Sequence, residues 1–143
     1  MPIASIMDAP HFPSSAIQIE TPRFPIYAEA YNRKMMDLLK RRDERRRRRR
    51  EELREQVRQR LKEALHQLAP GEPVILFGSV TRPHEFHERS DVDIAFVEEP
   101  KKKSRYALQA QIEEMIHHPV DLIILSECRF REKIEREGEA WMN

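Results

Sequence analysis

Three aspartates, Asp91, Asp93 and Asp121, have the residue type and spacing to do chemistry. Each opens or interrupts a short apolar run, Asp91 to Val97 or Val120 to Leu125, of the kind that forms buried strands. Alternation along a strand puts Asp91 and Asp93 on one face, roughly 7 Å apart at Cα. If the two strands are neighbours, Asp121 joins them from the side. Three ionised carboxylates that close repel one another unless divalent cations neutralise them, so the pattern suits a metal-assisted reaction at phosphorus. The bland alternative is that Asp91 caps a strand entrance, Asp93 faces water and Asp121 makes a salt bridge.

A second group lies just upstream. Val74 to Phe77 reads as a buried strand preceded by Pro73 and stopped by Gly78, and Val80-Thr81-Arg82 after Ser79 can form one helical turn. Glycine lets the backbone approach an anion closely, while the Ser79 hydroxyl and the N–H groups of the turn can hold phosphate oxygens. The forked guanidinium of Arg82 suits a departing pyrophosphate, although a surface salt bridge is an equal use for it.

Gly78-Ser79, then Asp91-x-Asp93, then Val120-Asp121-Leu122 on a later strand, resembles the DNA polymerase beta nucleotidyltransferase superfamily and within it the minimal branch. The resemblance covers about Leu53 to Asn143. It implies an α+β nucleotidyltransferase fold, a short mixed sheet flanked by helices. It further implies that Asp91 and Asp93 bind Mg²⁺, as a pair of ions, and that Asp121 completes the site and accepts the proton of the attacking hydroxyl. Gly78 and Ser79 would hold the triphosphate of ATP. Members of the branch act as antitoxins beside HEPN-type ribonuclease toxins, modifying a toxin tyrosine with AMP, so the resemblance extends to that partner and that acceptor. The sequence departs from the family where Thr81-Arg82 is followed by Pro83 in place of glycine. Proline offers neither a backbone donor nor a positive φ, and the loop to Asp91 is about one residue longer than usual.

The elements that must position these residues follow from periodicity. Tyr27, Tyr31, Met35, Leu38 and Leu39 form one helical stripe, and Leu53, Val57, Leu61, Ala64, Leu65 and Leu68 form another, ended by Pro70-Gly71. Between them Lys40 to Glu52 contains no apolar residue. It spaces Asp43 with Arg47, Glu44 with Arg48 and Arg48 with Glu52 for pairing across one helical turn. Tyr106, Leu108, Ile112, Met115 and Ile116 give a further helix ending near His117-His118-Pro119. Phe130, Ile134 and Trp141 mark a short C-terminal helix. The division is thus a proline-rich extended or disordered arm over residues 1–26, a basic helical extension over 27–52 and a nucleotidyltransferase domain over 53–143. The first stripe lies beyond the basic bridge, which makes it a candidate homodimer surface.

The net charge of +1 conceals an asymmetry: Lys34 to Lys62 holds 14 basic and 6 acidic residues, leaving the remainder at −7. The Arg45 to Arg50 run reads as a solvated helix or protein-docking element ahead of a nucleic-acid binder, because no aromatic residue between Tyr31 and Phe77 offers a stacking platform. His84 with His87, and His117 with His118, read as solvated loop histidines lacking a third ligand. The single cysteine, Cys128, makes no internal bridge and fits a reducing, cytoplasmic setting. Val120 to Leu125, the longest apolar run, falls far short of the ~20 residues of a bilayer span, and Met1 to Phe24 has no signal-peptide pattern. Two other functions stay open: an idle fold that neutralises a partner protein by occlusion, and a nucleic-acid-binding protein.

Overall fold

The computed structural model describes residues 25–142. The arm expected over residues 1–26 lies, up to residue 24, outside the described residues. Two compact units divide the chain, Met1–Arg41 and Arg42–Asn143, and helix α1 (Pro25–Leu68) contributes to each.

In the first unit the described residues are helical. Tyr31, Met35, Met36 and Leu38 on this part of α1 are exposed, with Leu39 half-buried. The first stripe is therefore not a buried face of the described unit, in contrast to the second.

In the second unit α1 continues to Leu68 without a break through the basic segment, whose arginines, lysine and glutamates are good helix formers. Its Val57, Leu61, Ala64 and Leu65 are fully buried, each contributing about 1.5–3 kcal/mol for the larger side chains. They pack on a four-stranded sheet of order β3-β2-β1-β4, made of β1 (Val74–Phe77), β2 (Val92–Phe96), β3 (Val120–Ile124) and β4 (Glu139–Trp141). The pairs β1–β2 and β1–β4 are antiparallel, and β2–β3 is parallel. Parallel neighbours need a crossover, supplied here by α2 (Arg105–Ile116). The Ser104 hydroxyl caps that helix by accepting from the Ala107 N–H at 3.2 Å, and left-handed His117 (φ 55°) ends it.

Alternation sorts the strands into two faces. Val74, Leu76, Val92, Ile94, Phe96, Val120, Leu122 and Ile124 meet α1 and the Leu108, Ile112, Ile116 stripe of α2. The other face carries Ile75, Ala95 and Ile123 and is covered by Leu125 and by Ile134 of the seven-residue α3 (Arg131–Glu137). Such a short helix covers only part of that face.

Trp141 is a correction to the sequence reading, since it lies on β4 rather than on the C-terminal helix. Gly138 makes the exit from α3 to β4 because a Cβ there would fall 2.4 Å from Ile75 Cγ2 and 2.5 Å from the Ile134 carbonyl oxygen. Arg58 of α1 then holds β4 with a bidentate pair to Glu139 (2.9 and 2.7 Å), its guanidinium stacked 5.3 Å from the Trp141 ring centroid. His118 is a second correction: it is buried against Phe86, ring centroids 4.9 Å apart, with Nε2 hydrogen-bonded to the Ser90 carbonyl, so it is no solvated loop histidine.

Candidate active site

In the parallel pairing of β2 and β3, Asp93 stands opposite Asp121. Adjacent strands lie about 4.8 Å apart, and directly paired residues project from the same side of a sheet. Because Val92, Ile94, Val120 and Leu122 are committed to the main core, both acids must face the other way. There they lie beyond the patch around Ala95 that Ile134 covers, Asp93 half-buried and Asp121 exposed. Asp91 is exposed one residue before β2, two positions from Asp93. The three expected acids are thus brought to one end of one face.

Glu51, Glu127 and Glu139 are paired with Arg54, Arg105 and Arg58, whereas no side-chain hydrogen bond or ion pair reaches Asp91, Asp93 or Asp121 among the described residues. The Asp93 carboxyl is pushed up to about 6, first by burial and then by the charges of Asp121 and Asp91. A measurable consequence follows. Its folded pKa lies above the ordinary 3.8, so between those values the folded chain holds more protons than the unfolded one. Stability therefore falls as pH rises through about 4 to 6 and is level above. Screening of a half-exposed group keeps the loss to about 1 kcal/mol. Denaturant titrations in chelator across that range are expected to show this loss in the wild type and not in Asp93→Asn.

The turn after β1 meets Asp93. Phe77 pairs with Asp93, which sets Gly78 against the carboxylate: a Cβ on Gly78 would lie 2.1 Å from Asp93 Oδ2. Gly78 also has φ 75°, a left-handed conformation that side chains disfavour. From it runs a 3₁₀ turn over Gly78–Thr81, closed by the Thr81 hydroxyl donating to the Gly78 carbonyl at 2.7 Å. Ser79 is half-buried and its hydroxyl makes no hydrogen bond among the described residues. Arg82, by contrast, is exposed and paired with Glu85 at 3.0 Å. The positive φ that Pro83 cannot adopt falls on the next residue, His84 (φ 65°).

Two residues that sequence reasoning passed over hold this turn. Arg54 of α1 is buried, and its Nε donates to the Val80 carbonyl at 2.7 Å and Nη2 to the Thr81 carbonyl at 3.3 Å. Its Nη1 meets Glu51 Oε1 at 2.6 Å, while Glu51 Oε2 accepts the His84 N–H at 3.1 Å. The signal was present in the sequence: Arg54 stands three and seven residues before Val57 and Leu61, a charge on the apolar stripe. Replacing Arg54 with methionine would strand two carbonyls and a glutamate. A loss of about 2–3 kcal/mol is expected by chemical denaturation, with Arg54→Lys recovering part of it.

As the side chains lie, no three acids, histidines or thiols converge on one cation-sized position among the described residues. The fit to divalent cations rests instead on backbone placement and donor chemistry. Mg²⁺ takes one or two hard carboxylates and completes its shell with water and substrate phosphates, a donor chemistry that Asp91, Asp93 and Asp121 offer at one sheet end.

A small mixed sheet with paired-strand acids against a glycine turn defines a nucleotidyltransferase fold. The family described as Polymerase beta, Nucleotidyltransferase matches residues 59–142, and the chain belongs to it. No curated protein matches the chain. One solved structure with some likeness is described as "Crystal structure of the toxin-antitoxin with AMP-PNP"; it is 22% identical over 59% of this chain and 73% of that chain, with a TM-score of 0.45.

Among the described residues no helix is long and apolar enough to cross a membrane.

Proposed function

We propose that the chain transfers AMP from ATP to an acceptor hydroxyl, using Asp91, Asp93 and Asp121 as the acidic centre. The observation that carries this reading is the register of Asp93 opposite Asp121 with Gly78 pressed against Asp93. Mg²⁺, as two ions held by the three aspartates, would supply charge neutralisation for the attacking and leaving oxygens. The chain's own part is positioning. Gly78 leaves room for the Asp93 carboxylate, and the free Ser79 hydroxyl and the N–H groups of the turn hold phosphate oxygens. The acceptor oxygen forms a bond to the α-phosphorus as the bond to the bridging oxygen breaks, pyrophosphate departs, and Asp121 takes the hydroxyl proton. Arg82 could assist the departing pyrophosphate only by leaving Glu85.

Resemblance to the minimal branch supports the finer reading: an antitoxin acting in the cytoplasm whose acceptor is a tyrosine of a HEPN-type toxin. The exposed Tyr31, Met35 and Leu38 stripe supports a homodimer, and a concentration-independent monomer mass would remove that element. The engagement of Arg82 by Glu85 favours a second reading, an idle fold that neutralises its partner by occlusion. Incubation with α-labelled ATP, Mg²⁺ and a candidate toxin separates the two. Label on the toxin, lost in the Asp91→Asn/Asp93→Asn variant while binding persists, supports transfer. Binding without label in the wild type contradicts it.

A further inference from the structure

The Arg45 to Arg50 run takes no part in the reaction proposed above. All six residues are exposed. The pairings that their spacing suggested with Asp43, Glu44 and Glu52 do not form; the ion pair in this stretch joins Arg42 to Asp43 at 3.6 Å. Among the described residues the side chains of Arg45 to Arg49 make no hydrogen bond or ion pair, and Arg50 makes a 3.4 Å contact with the His84 carbonyl. Six adjacent like charges repel one another and stay open to an anionic partner.

Six successive residues at about 3.6 per turn encircle a helix, so the charge forms a collar and not a face. Lys40 to Glu52 lacks any apolar side chain, and therefore lacks the apolar, water-excluding centre on which protein interfaces depend. The absence of aromatics from 32 to 76 removes the stacking that single strands require. The deep, narrow major groove of A-form RNA keeps side chains from its base edges. The B-form major groove remains: it is about 12 Å wide against a helix of about 10–12 Å, and its walls present phosphates on both sides of an inserted helix. The collar is also a fixed extension of the second unit, because Glu51 and Arg54, just beyond it, bind the loop at His84, Val80 and Thr81.

We infer that the Arg45 to Arg50 collar docks double-stranded DNA, with α1 lying in the major groove and guanidinium groups on opposite sides of the helix neutralising both backbones. The inference stands apart from the proposed transfer reaction. The test is anisotropy of a short labelled DNA duplex with the full chain over a range of salt. Guanidinium groups facing the groove floor or solvent make no phosphate contact, so four to six contacts predict a slope of about −4 to −5 in log association constant against log salt. A variant carrying Arg45→Gln, Arg46→Gln, Arg48→Gln and Arg49→Gln should bring the slope to about −2 or shallower. It should also keep its far-ultraviolet helical signal, glutamine being a good helix former. No saturable duplex binding at low salt, or an unchanged slope in the folded variant, would overturn the inference. Equal affinity for single-stranded DNA, double-stranded RNA or polyglutamate would do the same. Should the variant misfold, the wild-type slope and its preference among these four polyanions still decide the matter.

Discussion

Asp93→Asn is expected to lower nucleotidyl transfer on the order of 10³-fold, about 4 kcal/mol of transition-state stabilisation, without destabilising the fold. Asp93 is the central member of the acidic group, opposite Asp121 across the parallel ladder and in contact with the Gly78 backbone. Asparagine keeps its shape but removes the charge that the proposed cation binding would use. The same charge is a burden to the folded chain, since burial and two neighbouring acids oppose it. Near pH 7 the variant should therefore unfold at equal or higher denaturant, by up to about 1 kcal/mol. A residue that merely supported the fold would behave oppositely, losing stability and activity together. Measuring both on one preparation distinguishes the two cases.

Gly78→Ala should cost nearly as much activity by another route. The added methyl would fall 2.1 Å from Asp93 Oδ2, a separation that cannot persist. Because the obstructed atom is the end of a side chain, the Asp93 carboxylate can swing away, so the steric part of the stability loss is small. What remains is the left-handed backbone at φ 75°, about 1–2 kcal/mol for a residue with a Cβ. The displaced carboxylate predicts a fall in kcat/KM of at least about 10²-fold. A denaturation midpoint lowered by only that modest amount would accompany it. Unchanged transfer would show that the Gly78 approach to Asp93 is incidental.

Much of this geometry was legible because strand alternation and burial act together. Val92 and Ile94 must enter the core, so Asp93 between them must face out, and Val120 and Leu122 impose the same on Asp121. Whether the two strands were neighbours depended on long-range pairing, which local pattern does not encode. The strand β4 escaped for a different reason. It is three residues long, and its Trp141 stands at a spacing from Ile134 that a helix would also satisfy. Its pairing with β1 is held by Arg58, 81 residues before its partner Glu139.

Arg54 and Glu51 were hidden by their surroundings. In a segment dense with arginine and glutamate, one more of each reads as solvated surface, and only the apolar stripe set Arg54 apart. Arg82, for which the sequence offered a phosphate contact or a surface salt bridge, pairs at the surface with Glu85, three residues on. The intrahelical pairs expected at Asp43, Glu44 and Glu52 do not form. Spacing permits such pairs; exposed long side chains gain little by making them.

The central claim is that the three aspartates and the Gly78-Ser79 turn together take up a nucleoside triphosphate with divalent cation. Calorimetric titration of ATP into the full chain, with Mg²⁺ and then with chelator, tests it most directly, alongside the Asp91→Asn/Asp93→Asn variant. Saturable heat seen only with Mg²⁺, and lost in a variant that still unfolds cooperatively, is the predicted result. Uptake indifferent to the cation or to the two substitutions, or no uptake by a folded wild-type chain, would contradict it.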